Sequence, residues 1–222
     1  MSEADDRPRR RQARGERRIT QLLQAAARVF CTLGYTASST NAIAREAGVS
    51  PGTLYQFFPN KEAIAVELGG QLIREMEETH GAVFTPEVAA LPLDELIDAV
   101  TDPFIDFNCA NPAFLALIKG PDTPGKVTEG HDALHASLVA RLTGLVEART
   151  PSMTAVERTL VTEMSFTMFK AGLDLVVQHG PEERAAHTAE LKAALYRYLA
   201  PYLGTEAITT DQAPDSEVAA TG

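Results

Sequence analysis

Between Val49 and Asn60 the chain carries Ser50, Gly52, Thr53, Tyr55 and Gln56 and no carboxylate. Hydroxyls, an amide and a bare backbone position can hydrogen-bond phosphate oxygens and base edges, and no anion stands among them to repel a polyanion. Arg17 and Arg18 upstream and Lys61 downstream add cationic groups suited to phosphates. Other chemistry is thinly represented. His131 and His135, four apart on one helical face, make half of a metal site, but no cysteine or third histidine stands near them and Asp132 falls elsewhere on the helix, so no metal is expected. No glycine-rich phosphate loop, nucleophile elbow or HExxH run occurs and no cofactor is implied. The chain is not expected to be an enzyme, although carboxylates such as Asp102 and Asp106 could share a pocket.

The polar groups need elements to hold them, and the surrounding residues spell those out. Ser38 or Ser39 can cap a helix whose apolar face is Ile43, Ala44 and Ala47, and Gly48 can take the left-handed conformation that ends it. Ser50 can cap a second helix with Pro51 at its first position and Leu54, Phe57 and Phe58 as apolar contacts. This is a helix-turn-helix pattern. Two helices so short need a third behind them. Ile19, Leu22, Leu23, Ala26, Ala27, Phe30 and Leu33 recur every three or four positions and predict that helix, ending at Gly34. Asn60 then caps a helix with Ile64, Leu68, Leu72 and Met76 at four-residue spacing. Gly69 and Gly70 inside it make either a compliant joint or a close packing surface.

The remainder reads as helix throughout. Residues 81–92 form a connection, 93–108 a helix that Pro103 should kink or split, 111–118 a short helix, and 127–148, 153–178 and 182–200 three longer ones. On the long side of 153–178 stand Val156, Leu160, Met164, Thr167, Ala171 and Leu175, with Met168, Phe169, Leu173 and Val176 on other sides. A helix apolar on more than one side needs two burial partners, and a second subunit can supply one. The expected architecture is all-α with about nine helices: a disordered basic arm over 1–16, a three-helix DNA-binding domain over 17–62, a larger helical domain over 63–203 whose last helices suit dimerisation, and a disordered tail over 204–222.

The formal charge of −10 is unevenly spread. Residues 1–6 carry −3, residues 7–60 carry nine Arg and two Glu for +7, and residues 61–222 carry −14. The basic part coincides with the helix-turn-helix, as a nucleic-acid footprint should. Two distant cysteines, Cys31 and Cys109, suit reduced thiols better than a disulfide. Without a signal-like stretch or a run of 18 apolar residues, the expected location is the cytoplasm, with no membrane partner.

Tyr35, Thr40, Ile43-Ala44, Ala47-Gly48-Val49-Ser50, Gly52-Thr53-Leu54-Tyr55, Phe58 and Lys61-Glu62 together closely resemble the DNA-binding domain of the TetR family of bacterial transcriptional regulators. The resemblance covers roughly residues 17–64. It implies a homodimer joined by the last two long helices of each subunit, a double-stranded palindromic operator, and release from it when a small-molecule effector binds the C-terminal domain. Carried onto this sequence, it makes Thr40, Ser50, Thr53, Tyr55 and Lys61 phosphate contacts and places Pro51, Gly52 and Gln56 at the groove, with Gln56 the candidate for adenine. Pro51 has no side-chain donor, so few bases are expected to be read through this helix, with either groove shape or Arg45 in the preceding helix carrying more of the reading. An effector pocket is expected among residues 93–178, lined from Phe104, Phe107, Phe114, Met164, Phe166, Met168 and Phe169 and anchored by Asn108, His131 and Lys170. Its apolar bias suits an apolar or aromatic ligand. An enzyme or small-molecule carrier with a vestigial DNA-binding domain is the alternative, against which the nine arginines count.

Overall fold

The computed structural model describes residues 6–81, 83–120 and 122–208. Among them are ten α-helices and no strand: α1 Asp6–Ala37, α2 Thr40–Glu46, α3 Pro51–Tyr55, α4 Lys61–Gly81, α5 Pro86–Ala90, α6 Leu93–Ala110, α7 Pro112–Ile118, α8 Gly125–Arg149, α9 Ala155–Gln178 and α10 Pro181–Leu203. The helix beyond the expected nine is α5, which Thr85 caps by accepting from the Val88 N–H. Pro103 does not split α6, which runs through it. The proline deletes one backbone hydrogen bond, and the buried Leu96, Ile97, Phe104 and Phe107 hold the turns on either side.

Both expected unstructured ends need correction where they are described. The helix starts at Asp6 rather than after residue 16. Arg, Gln, Ala and Glu dominate this stretch and all favour helix, and Gln12 Nε2 donates to Glu16 Oε1 one turn on. The side chains of Arg7, Arg9, Arg10 and Arg11 lie outside the described residues, as do 209–222. Residues 204–208 of the expected tail are pinned by backbone bonds, Leu93 N–H to the Thr205 carbonyl and Ile208 N–H to the Ala90 carbonyl, each 3.0 Å.

Among the described residues packing makes two compact units, 6–80 with 104–137 and 81–103 with 138–208, rather than a division at residue 62. In the first, α1 packs on α2 and α7, and α2 packs on α3. Leu22, Phe30, Ile43, Leu54, Ile64 and Leu117 are completely buried there. The apolar stripe of α1 stops at Phe30, and Leu33 is 50% exposed. The chain leaves the helix at Gly34, φ 72°, and Tyr35 takes the buried position, its ring 5.6 Å from that of Phe30. Gly69 serves close packing: a Cβ there would stand 3.0 Å from Val127 Cγ2, and one at Gly130 would stand 2.9 Å from Ile73 Cδ1. Side-chain atoms of α4 and α8 therefore fill the places where each glycine lacks one.

In the second unit α9 packs on α10, with Gly172 leaving room for Leu191. Thr154 and Glu157 cap α9 reciprocally. Arg149, at the end of α8, is a buried cation that sequence reasoning missed. Its Nε donates to the Leu203 carbonyl at 2.9 Å, Nη1 to Ala89 and Leu91 at 3.1 and 2.5 Å, and Nη2 to Glu206 at 2.7 Å. Burial lowers its pKa from the ordinary arginine value. One guanidinium thus gathers the ends of α5, α8 and α10 and the following turn.

Candidate nucleic-acid interface and effector site

The helix-turn-helix forms as its caps dictate. Ser39 accepts from the Ala42 N–H and begins α2, Gly48 takes φ 65° in the corner, and Ser50 accepts from the Thr53 N–H at 3.1 Å with Pro51 at the first position of α3. A residue without Cβ adopts that corner conformation at the least steric cost. Leu54 is the buried anchor of α3, and this fixes what faces outward: Ser50, Pro51, Gly52, Tyr55 and Gln56 are exposed and Thr53 half-buried.

Two hydroxyl pairs organise this surface. Ser50 Oγ and Thr53 Oγ1 lie 2.9 Å apart, and Thr40 Oγ1 and Tyr55 OH 3.0 Å apart. The second pair joins the start of α2 to the end of α3. A hydroxyl that shares one hydrogen bond keeps acceptor or donor capacity for a phosphate oxygen. Arg45 and Arg17 are exposed nearby in sequence, whereas Arg18 is half-buried. Arg18 Nη1 donates to Gln21 Oε1 at 2.8 Å, and Gln21 Nε2 donates to the Ala47 carbonyl at 2.7 Å, so α1 is bonded to the end of α2. Arg28 and Glu46 form a second link, 2.5 Å long. Gln21 and Arg28 gave no sequence signal beyond being polar on the flank of the α1 stripe.

Lys61 is placed differently from the expected phosphate contact. Its ammonium donates to the Tyr35 and Thr36 carbonyls at 2.8 and 3.2 Å and sits 4.3 Å above the Tyr35 ring. Two of its three protons are used internally, because Gly34 turns these carbonyls toward the start of α4. Burial, followed by the Glu62 and Asp122 carboxylates, raises the Tyr35 pKa. Thr36 Oγ1 donates to Asp122 Oδ2 at 2.8 Å, which ties the same corner to the turn between α7 and α8.

The family model described as bacterial regulatory proteins, tetR family, matches residues 22–68, and that described as tetracyclin repressor-like, C-terminal domain, matches residues 92–199. The chain belongs to the TetR family of bacterial transcriptional regulators. Among its curated relatives, the fatty acid metabolism regulator protein of Bacillus subtilis (strain 168) is 44% identical over 62 residues, 26% of this chain and 32% of that protein. The chain spans under half the length of the curated relatives it matches. Among solved structures, a TetR-like transcriptional regulator from Rhodococcus sp. RHA1 has the same fold, with a TM-score of 0.66, 22% identity, and coverage of 82% of this chain and 96% of that one. The regulator FadR from Bacillus subtilis, solved in complex with stearoyl-CoA, has a TM-score of 0.55 at 22% identity and covers 83% of this chain and 98% of its own.

The ten residues expected to line an effector pocket in this TetR-family chain fall into two groups. Phe104, Phe107, Asn108, Phe114 and His131 all belong to the first unit. The Phe107 and Phe114 rings meet edge to face at 5.7 Å, and Phe114 lies 6.2 Å from the His131 ring. His80, absent from the expected set, is buried with its ring stacked 3.3 Å from that of Phe104. The signal was present, since His80 continues the four-residue spacing of Leu68, Leu72 and Met76. Met164, Phe166, Met168, Phe169 and Lys170 belong to α9 in the second unit. Phe166 is buried and Met168 half-buried, but Met164 and Lys170 are exposed, which corrects their expected place in a pocket. Met164 lies on the outward side of α9, where Leu160, one turn before it, is also exposed. An open groove of about 820 Å³, bordered by Leu23, Arg28, Leu33, Glu46, Leu72 and Ala113, includes none of the ten.

Proposed function

We propose that this chain is a ligand-responsive transcriptional regulator that works in the cytoplasm as a homodimer, represses by occupying a palindromic operator, and leaves it when a small apolar or aromatic molecule binds the helices after α4. The observation that carries this reading is the outward surface of α2 and α3: paired hydroxyls at Thr40–Tyr55 and Ser50–Thr53 beside exposed Gln56, within the basic segment of an acidic chain. Phosphates fix the register through the hydroxyls, Arg17, Arg45 and the backbone, and Gln56 is the side chain placed to bond a base edge. Pro51 and Gly52 offer close approach without a side-chain donor. Few bases are then read directly, and groove shape carries the rest of the selectivity.

Dimerisation is assigned to α9 and α10. Val156, Leu160, Met164 and Leu175 on α9 are 70%, 60%, 51% and 51% exposed, a row of large apolar groups that one copy leaves in water. Such a continuous row is what a second subunit covers. FadR, a protein of the same fold solved with stearoyl-CoA, supports an apolar effector in this architecture. DNase I footprinting of the DNA upstream of the chain's own gene tests the reading. Protection of one inverted repeat, with half-sites about one helical turn or a small multiple apart, is expected. Unchanged cleavage along the whole fragment contradicts it.

A further inference from the structure

Asn108 sits inside α6 and is 2% exposed. Its Nδ2 donates to the Phe104 carbonyl at 2.8 Å, and no donor among the described residues reaches its Oδ1. The amide orientation follows from this contact. Turned over, it would set two acceptor oxygens against each other, so the group left without a partner is the acceptor. Asparagine is unfavourable here on three counts, as a poor helix former, as a buried amide and as an unpaired carbonyl oxygen, whereas leucine would incur none of them. Phe104, Phe107 and Phe114 are all buried in the same unit, with the His80 ring on Phe104 and the His131 ring beside Phe114. None of these residues is a lysine or an arginine that could neutralise an anionic headgroup.

We infer that the effector of this chain is a neutral apolar molecule bearing an O–H or N–H donor, such as a phenol, an alcohol or an amide, which donates to Asn108 Oδ1 while its body lies against Phe104, Phe107 and Phe114. The inference rests on the ligand-responsive reading above. It separates this effector from fatty acids and acyl-CoA, whose charged groups find no lysine or arginine among these side chains. The three phenyl rings are closely buried, so the ligand enters by parting them. Phe107 stands on α6 and Phe114 on α7, and α7 packs on α1 of the DNA-binding helices. Displacement of α7 thus reaches the helix-turn-helix through α1 and through the Thr36–Asp122 bond.

Isothermal titration calorimetry on the full chain, with 4-butylphenol, its methyl ether 4-butylanisole and decanoate, tests this without any DNA, so its outcome is independent of the footprint. In the wild type the phenol is expected to bind at least about tenfold more tightly than the ether, and decanoate more weakly than the phenol. Asn108→Leu is expected to bind phenol and ether equally and to melt no lower than the wild type. Equal affinities in the wild type, a preference for decanoate, no phenol binding up to millimolar concentration, a phenol preference that survives Asn108→Leu, or a lower melting temperature for that variant each overturns the inference.

Discussion

Tyr55 is half exposed, yet its hydroxyl lies 3.0 Å from Thr40 Oγ1, so it presents one edge of α3 to solvent while holding the start of α2. Tyr55→Phe removes that hydroxyl and leaves Leu54, the residue that anchors α3, in place. The expected outcome is a several-fold loss of operator affinity with a melting temperature within about 1 °C of wild type, checked by gel shift and differential scanning calorimetry. Arg149 is the opposite case, far from any DNA-facing side chain in the sequence and bonded to four backbone carbonyls. Arg149→Met strips those carbonyls of their donors and should cost about 3 kcal/mol or more of stability, read by urea denaturation. The sequence marks these two residues very differently. Tyr55 stands in a dense local motif, whereas the four partners of Arg149 come from residues 89 to 206, a convergence that no local spacing encodes. Lys61 falls between them: its position at a helix start is legible, but its engagement with the Tyr35 and Thr36 carbonyls depends on the turn at Gly34.

Helix ends marked by strong caps were readable, as Ser50 with Pro51, Asn60 and Gly48 demonstrate, because each cap is a bond within three or four residues. The reading failed where tertiary contacts decide: Leu33 matched the α1 period but lies beyond the reach of the core, and Pro103 sits in a helix whose flanking side chains are buried. For α9 the periodicity named Val156, Leu160, Met164 and Leu175 as one side, and that side is exposed in the single chain. Leu160→Glu should therefore yield a folded monomer by analytical ultracentrifugation, with unchanged helical circular dichroism and operator binding lost at concentrations where wild type is saturated. A dimer that survives this change would move the interface away from α9. The α9–α10 crossing makes a further prediction. A Cβ at Gly172 would meet Leu191 Cδ1 and stand 2.9 and 3.0 Å from its Cδ2 and Cγ. Gly172→Val is expected to lower stability by about 1–3 kcal/mol through overpacking, visible as a reduced urea midpoint.

At the scale of the whole molecule, the charge distribution carries the argument. A net of −10 disfavours DNA as a bulk property, but the +7 of residues 7–60 lies on α1, which packs on α2, while Arg45 and Glu46 cancel on α2 and α3 carries no charge. The −14 beyond them suits a solubilising surface and opposes coating of long duplexes. Family membership was legible from fewer than fifty residues because helix-turn-helix geometry is locally specified. The effector site was less so, since aromatic residues predict core equally well, and only burial, ring contacts and the unpaired oxygen of Asn108 distinguish one cluster. The most direct measurement of the central claim is a fluorescence-anisotropy titration of a duplex from the chain's own upstream region against a scrambled duplex of equal length and composition. Binding about a thousandfold or more tighter to the natural duplex is expected, with both complexes weakening as salt is raised. Equal affinity for the two duplexes at every salt concentration would contradict it.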